Sequence, residues 1–193
     1  LPTGTEIIEP GTPMEIGKII ESNSRVFEGS VLQCGGEPVR LSPVADDYAL
    51  LLETVRKAAK VSDMVIIIAG SSAGTEDFTS RIVAELGEVY VHGIALKPGK
   101  PAILGKIGHA PVIGLPGYPV SSWVVFDTIV KPLLYTMQHQ RPLQRPSAEA
   151  VLSRRLVSSL KNLEVVRVKL GKVGDKMIAT PLNRGAGVTM SLV

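Results

Sequence analysis

Residues 64–69, Met-Val-Ile-Ile-Ile-Ala, form an unbroken apolar run rich in β-branched side chains, and Gly70-Ser71-Ser72-Ala73-Gly74 follows at once. A strand with one wet face alternates apolar and polar residues. A run without alternation, six residues long and stopped by glycine, is expected as a central parallel strand covered on both faces. Parallel strands need long crossover connections, usually helices. This one stretch therefore commits the chain to helices layered on a sheet.

The surrounding sequence supplies those layers. A polar cap at Ser22 and the spacing of Val26, Phe27, Ser30 and Val31 predict a helix to Leu32, ended by Gly35-Gly36. Val39–Val44 reads as a strand. Asp46-Asp47 opens a second helix with Leu50, Leu51, Thr54, Val55, Ala58 and Ala59 as its buried stripe. Asp77–Leu86 reads as a helix stopped by Gly87, and Val89–Leu96, Ala102–Leu104 and Val112–Leu115 as strands. Pro119 starts a helix running to about Met137, with a kink expected at Pro132. The alternation predicts a doubly wound α/β domain over residues 1–140. A proline-marked linker follows, and residues 147–193 are expected to form a small, incomplete β-rich domain, with strands at Glu164–Leu170 and Met177–Thr180.

Charge divides the same way. Residues 1–140 hold 11 Lys or Arg against 15 Asp or Glu, a net −4, whereas residues 141–193 hold 10 against 3, a net +7. The division fits intramolecular complementarity, an anionic ligand held between the halves, or a solvated basic surface. Aromatics make up only 4% and do not interleave with basic clusters, which argues against nucleic acid. No apolar run approaches the ~18 residues needed to cross a bilayer, so no membrane partner is expected. One cysteine, Cys34, excludes an internal disulfide framework and suits a reducing compartment, so a cytoplasmic location is expected and Cys34 is read as core filling. Thr3-Gly4 reads as the end of a strand whose body precedes Leu1, and the chain as part of a longer one.

Four stretches carry candidate chemistry. In Gly70–Asp77, the glycines let a backbone approach a ligand, the hydroxyls of Ser71, Ser72 and Thr75 offer hydrogen bonds, and a helix N-terminus faces an anion. Asp77 is then a Mg²⁺ ligand or, in a plain strand-to-helix turn, a cap. Lys97-Pro98-Gly99-Lys100-Pro101 holds two ammonium groups on a stiff turn, which suits an anion between them, with two solvated surface lysines as the alternative. Thr3-Gly4-Thr5-Glu6 and Asp46-Asp47 bring carboxylates to other strand ends. The aspartates also read as a helix cap. Gly114-Leu115-Pro116-Gly117-Tyr118-Pro119 sets another helix start, with Ser121 and Ser122 at its tip. His92, His109 and His139 lack ligand spacing, so neither a zinc site nor a nucleophilic triad is expected.

In this order, Thr3-Gly4-x-Glu6, Ser22-Asn23, Asp46-Asp47, Gly70-x-Ser72-x-Gly74-x-x-Asp77, Lys97-Pro98-Gly99-Lys100-Pro101 and Gly114-Leu115-Pro116-Gly117-x-Pro119-Val120-Ser121 resemble the MoeA family of molybdopterin molybdenumtransferases, which includes the gephyrin E domain. The resemblance implies a three-layer α/β/α molybdopterin-binding domain of MogA/MoaB type, followed by a small β-rich domain. It implies Mg²⁺-dependent insertion of molybdate into adenylylated molybdopterin, with release of AMP. It further implies a homodimer, and a molybdopterin adenylyltransferase as partner. Carried over by position, Glu6, Asp77, Lys97 and Lys100 are the catalytic candidates, and Asp77, Glu6, Asp46 and Asp47 the metal candidates. Thr3, Gly4, Ser22, Asn23, Gly70, Ser72, Gly74, Pro116, Gly117, Ser121 and Arg167 are the substrate-binding candidates.

The chain departs from the family pattern in several places. Thr5 stands where Asp is usual, Glu21-Ser22-Asn23 where Asp-Ser-Asn is usual, Ala69-Gly70-Ser71-Ser72 where Gly-Gly-Val-Ser is usual, Tyr118 where Asn is usual, and Ala186 where Ser is usual. These departures leave a second expectation open: a catalytically degenerate molybdopterin- or oxyanion-binding module within a larger regulatory protein. An interaction scaffold is a third.

Overall fold

The computed structural model describes residues 1–68 and 78–182. It begins with two short strands, β1 (Ile7–Ile8) and β2 (Ile19–Ile20), paired in parallel, and continues through α1 (Asn23–Gln33) and α2 (Tyr48–Val61). The apolar run becomes β3 (Val65–Ile68). Next come α3 (Phe78–Leu86), β4 (Glu88–His92), β5 (Leu96–Lys97), β6 (Ile103–Ile107) and β7 (Ala110–Leu115). A long helical stretch follows as α4 (Pro119–Val125), a π-helical turn over Phe126–Val130, and α5 (Lys131–Met137). The remainder is extended: β8 (Val151–Leu152), β9 (Leu163–Glu164), β10 (Val168–Val173) and β11 (Lys176–Pro181).

The main sheet runs β3-β7-β6-β4, and the residues at the start of the chain widen it on the β3 side, where Pro2 bridges Ile68 and Thr3 bridges Val44. Burial on both faces is visible in the alternation along β3. Val65 and Ile67, with Val112 of β7, pack under Leu51, Val55 and Ala59 of α2 and Ile82 and Val83 of α3. Ile66 and Ile68, with Ile113 and Leu115, pack under Phe27 of α1 and Val120, Val124 and Val125 of α4. Helices thus cover both faces, the three-layer α/β/α arrangement that the non-alternating run requires. Each fully buried aliphatic side chain contributes about 1.5–3 kcal/mol to holding the layers together.

Several expectations need correction. The sheet is mixed: β3 and β7 are parallel, but β6 is antiparallel to both β7 and β4, and the two-residue turn Gly108-His109 joins β6 to β7 as a hairpin. Of Val39–Val44 only Val44 enters the sheet. Leu50 is 52% exposed, and the α2 stripe narrows to Leu51, Val55 and Ala59, with Ala58 partly buried beside them. Just before Pro132 the helix widens into a π turn, where the Lys131 amide reaches the carbonyl of Phe126. Proline lacks an amide, and the wider turn places that missing donor at the start of α5.

Close approach explains two glycines. A Cβ at Gly105 would lie 2.5 Å from the Glu88 carbonyl oxygen and 2.6 Å from Val83 Cγ1, so α3 can sit on β6 only with glycine there. At Gly114 it would lie 3.0 Å from Ile103 Cβ and 3.2 Å from Thr79 Cγ2, which seats the first turn of α3 directly on β7.

β10, β11 and β8 form a separate three-stranded sheet, while β9 leaves it and pairs in parallel with β5.

Candidate functional site

Register decides which loops share an edge of the main sheet. Ile67 faces Gly114 on β7, and Gly114 faces Ile103 on β6, so the C-terminal ends of β3 and β7 lie beside the N-terminal end of β6. Pro2 and Thr3 bridge to Ile68 and Val44 at the same edge. Four described stretches therefore emerge on one side: Thr3–Glu6, Asp46-Asp47, the Lys97–Pro101 turn and Pro116–Tyr118.

Thr3 is buried, its amide donating to Ile68 O at 2.8 Å and its hydroxyl to the same oxygen at 3.3 Å. The Gly4 amide donates to Val44 O at 3.0 Å. Gly4 has φ +140°, and a Cβ there would meet Glu6 Oε2 at 2.9 Å, so the Glu6 carboxylate folds back over a residue that must be glycine. Thr5 turns the other way: its amide donates to Asp46 Oδ2 at 3.1 Å, and its hydroxyl accepts from the Asp46 amide at 3.2 Å. Asp47 caps α2, its Oδ1 accepting from the Leu50 amide at 2.9 Å. The capping alternative thus holds for Asp47, while Asp46 fastens the first loop to the second. Asp46 Oδ1 and Asp47 Oδ2 have no hydrogen-bond partner among the described residues.

On the other side of β3, Asn23 Nδ2 donates to Gly117 O at 2.8 Å, joining the start of α1 to the turn after β7. Ser22 occupies the cap position of α1 without a side-chain cap bond. Capping falls to Glu21, whose Oε1 accepts from the Ser24 amide at 2.7 Å and Oε2 from the Ser24 hydroxyl at 2.6 Å. Pro116 O accepts from the Ser122 hydroxyl, Ser121 is buried beside it, and Tyr118 is 55% exposed at the cap position of α4.

The lysine turn closes on itself, with the Ile94 amide donating to Lys100 O at 2.8 Å and the Ala102 amide to Gly99 O at 3.2 Å. Gly99, at φ +123°, lies against α4, where a Cβ would stand 2.7 Å from Val125 Cγ2. Lys97 and Lys100 are exposed, and among the described residues neither ammonium group has a carboxylate within ion-pairing distance. Arg167 lies three residues beyond Glu164, the residue that faces Lys97 in the β5–β9 pairing.

Gly70, Ser71, Ser72, Gly74, Asp77 and Ala186 lie outside the described residues. Among the described residues no three or more His, Cys, Asp or Glu side chains group closely enough to hold a metal ion.

Two residues were not legible as site neighbours in the sequence. Lys18 Nζ donates to Thr5 O at 2.9 Å, bringing a third ammonium group to the first loop from an irregular stretch without any motif. Glu21 carries the α1 cap from a position where the Ser22-Asn23 pair draws attention instead.

The family model described as "Probable molybdopterin binding domain" matches residues 1–136. The molybdopterin molybdenumtransferase of Haemophilus influenzae is 35% identical over 146 residues, 76% of this chain and 36% of that protein. The crystal structure of a molybdopterin biosynthesis MoeA protein from Pyrococcus horikoshii matches with a TM-score of 0.83 and 37% identity, covering 98% of this chain and 46% of that one. The molybdopterin biosynthesis enzyme MoaB of Thermus thermophilus shares the fold alone, with a TM-score of 0.55 and 15% identity, covering 74% of this chain and 97% of that one. The chain spans less than half the length of the curated relatives it matches. With well over half of its residues inside the family model, and MoeA proteins among its relatives in both sequence and structure, the chain belongs to the probable molybdopterin-binding domain family, in its MoeA branch.

Proposed function

We propose that this chain is the substrate-binding and catalytic portion of a molybdopterin molybdenumtransferase, acting in molybdenum cofactor biosynthesis by inserting molybdate into adenylylated molybdopterin with release of AMP. The observation that carries the reading is the pair of ammonium groups of Lys97 and Lys100, unpaired among the described residues, at the same sheet edge as Thr3–Glu6, Asp46-Asp47 and Pro116–Tyr118. Two like charges on one closed turn repel each other, and an oxyanion bound by both would remove the repulsion. Residues 1–140 would form the molybdopterin-binding unit and residues 147–193 a β-rich unit that brings Arg167 towards it.

In this reading Lys97 and Lys100 hold the oxyanion and oppose charge that builds on the cleaved phosphate bond. Thr3, Gly4, Asn23, Pro116, Gly117 and Ser121 shape the pterin-binding edge, together with Ser22, Gly70, Ser72 and Gly74. Glu6, Asp46, Asp47 and Asp77 supply hard oxygen donors. The spare oxygens of Asp46 and Asp47 fit Mg²⁺, which takes one or two carboxylates beside substrate phosphates and needs no all-protein cage. Bound there, Mg²⁺ supplies positive charge facing phosphate oxygens. The protein would act in the cytoplasm as a homodimer, receiving its substrate from an adenylyltransferase.

One observation favours the second reading, a binding module without turnover. Thr5 engages Asp46 through both amide and hydroxyl, where the family usually places another carboxylate. A single assay separates the two. Full-length protein is given adenylylated molybdopterin, molybdate and Mg²⁺, and AMP is followed over time. Molybdate-dependent release abolished by Asp77→Asn is expected; tight binding without release leaves the binding module.

A further inference from the structure

The C-terminal half of the chain reaches back to the lysine turn through its backbone. The Leu163 amide donates to Ala95 O at 2.8 Å, and the Val165 amide donates to Lys97 O at 2.8 Å. Between them Leu96 faces Leu163 and Lys97 faces Glu164 in a parallel ladder. On its other flank β5 is tied to the core, because Leu96 is buried beside Val124 and Val125 of α4, and Gly99 rests on the same helix. Lys97 is therefore clamped at its backbone from two directions: α4 supports the turn from the core side, and the Val165 amide of the chain leaving β9 holds the Lys97 carbonyl.

A lysine side chain has four rotatable carbons, so the entropy lost on gripping an anion depends on how firmly its main chain is already held. The same pairing is one place at which the region of net charge +7 meets the region of net charge −4; the Arg145–Asp127 ion pair at 2.9 Å is another. Docking β9 fixes the Lys97 backbone at a place where the two regions meet.

We propose that the Val165 amide and strand β9 are a positioning element for Lys97, coupling the docking of the C-terminal basic region to oxyanion binding at the lysine turn. This rests on the reading of Lys97 as an oxyanion ligand given above. Coupling between two equilibria is reciprocal. If β9 pairing strengthens anion binding, anion binding strengthens β9 pairing by the same factor, and the effect can be read from either end.

Read from the strand, amide hydrogen exchange at Leu163 and Val165 is measured in the unaltered full-length protein with and without saturating sodium molybdate. Exchange at these two amides slows about tenfold, a typical coupling factor, beyond any change at the Val55 amide of α2, which reports general stabilisation. Slowing no greater than at Val55 overturns the proposal. Read from the anion, molybdate affinity is measured by calorimetry on three variants. Val165→Pro, which removes the donor to Lys97 O, raises Kd about tenfold, and Val165→Ala, which keeps the amide, stays within about twofold of the parent. A Val165→Pro protein that binds as the parent does overturns the coupling. Should that variant not fold, the exchange measurement on the unaltered protein decides alone. Lys97→Ala separates the two levels of argument. If it leaves molybdate affinity unchanged, the assignment of Lys97 itself fails and the coupling with it. If it weakens binding while Val165→Pro does not, only the coupling fails.

Discussion

Asn23 and Gly117, 94 residues apart, are joined by a 2.8 Å hydrogen bond from the Asn23 side-chain amide to the Gly117 carbonyl. The bond ties the first turn of α1 to the loop that ends β7 and starts α4, two elements on the same face of the sheet. Gly117 is thereby held by its neighbour rather than by its own turn. Asn23→Ala leaves a half-buried carbonyl without its donor and is expected to cost about 1 kcal/mol, seen as a lower urea midpoint. Asn23→Asp places an acceptor against an acceptor and is expected to cost more. An Asp variant as stable as the parent would show that the bond does not hold the turn.

Glu21 caps α1 from within the core, with both carboxylate oxygens bound to Ser24. Glu21→Ala removes the acceptor for two donors and is expected to cost about 1–2 kcal/mol, a typical cap loss. Thermal melting followed by circular dichroism checks it; a midpoint within error of the parent would contradict this cap.

Gly105 lies where β6, β4 and α3 meet, with 2.5 Å to the Glu88 carbonyl oxygen and 2.6 Å to Val83 Cγ1 from any added Cβ. Gly105→Ala is expected to destabilise by about 1–3 kcal/mol, because the obstructing atoms include backbone that cannot rotate away. Gly114→Ala meets milder contacts, at 3.0 Å and 3.2 Å. Its expected signature differs: a smaller loss of stability, with a disproportionate loss of AMP release, since one of its neighbours is Thr79 at the start of α3. Denaturant titration and the release assay, run on both variants, decide the order.

Tyr48 joins α2 to α3. Its hydroxyl donates to Glu85 Oε2 at 2.6 Å, its ring meets Phe78 edge-on at 5.7 Å, and Arg81 stands 4.9 Å above it. The hydrogen bond to Glu85, followed by desolvation, raises the phenol above its ordinary value of 10.0. The folded state therefore keeps a proton that the unfolded chain gives up. The stabilisation is fully present below pH 10.0 and is lost as pH rises through the raised folded value. Melting temperatures from pH 9 to about pH 12 are expected to fall more steeply for the parent than for Tyr48→Phe. Parallel curves would show that Tyr48 makes no such contribution.

The lysine turn predicts a salt signature. If Lys97 and Lys100 hold an oxyanion at an exposed site, molybdate affinity falls as sodium chloride rises from 0.01 to about 0.5 M, because screening shortens the reach of both charges. In the Lys97→Ala/Lys100→Ala double variant the dependence flattens. Calorimetry across that salt series checks it, and an unchanged slope in the double variant would remove the two lysines from the site.

How much of this was legible beforehand follows from the range of the forces involved. The run Val65–Ile68 announced its covered strand because burial on two faces leaves no room for alternation, α2 announced itself through its apolar stripe and aspartate cap, and α3 through the glycine that stops it. The site stretches stood out because glycine and proline mark turns locally. The antiparallel hairpin of β6 and β7 was missed, since strand direction is set by which partner wins the hydrogen bonds. Lys18 and Glu21 were missed for a related reason: each acts on a residue that the chain brings near only after folding.

The sequence by itself determined the layers, the positions of the turns and the residue chemistry at each turn, because these follow from side-chain volume, backbone freedom and charge within a few residues. Only the tertiary structure decided that Thr3, Asp46, Lys97 and Gly117 share one edge, that Asn23 holds Gly117, and that a strand from the basic tail grips the backbone of Lys97. Those relations depend on sheet register and on hydrogen bonds across as many as 94 residues. No local preference encodes them; they are fixed when the whole core closes.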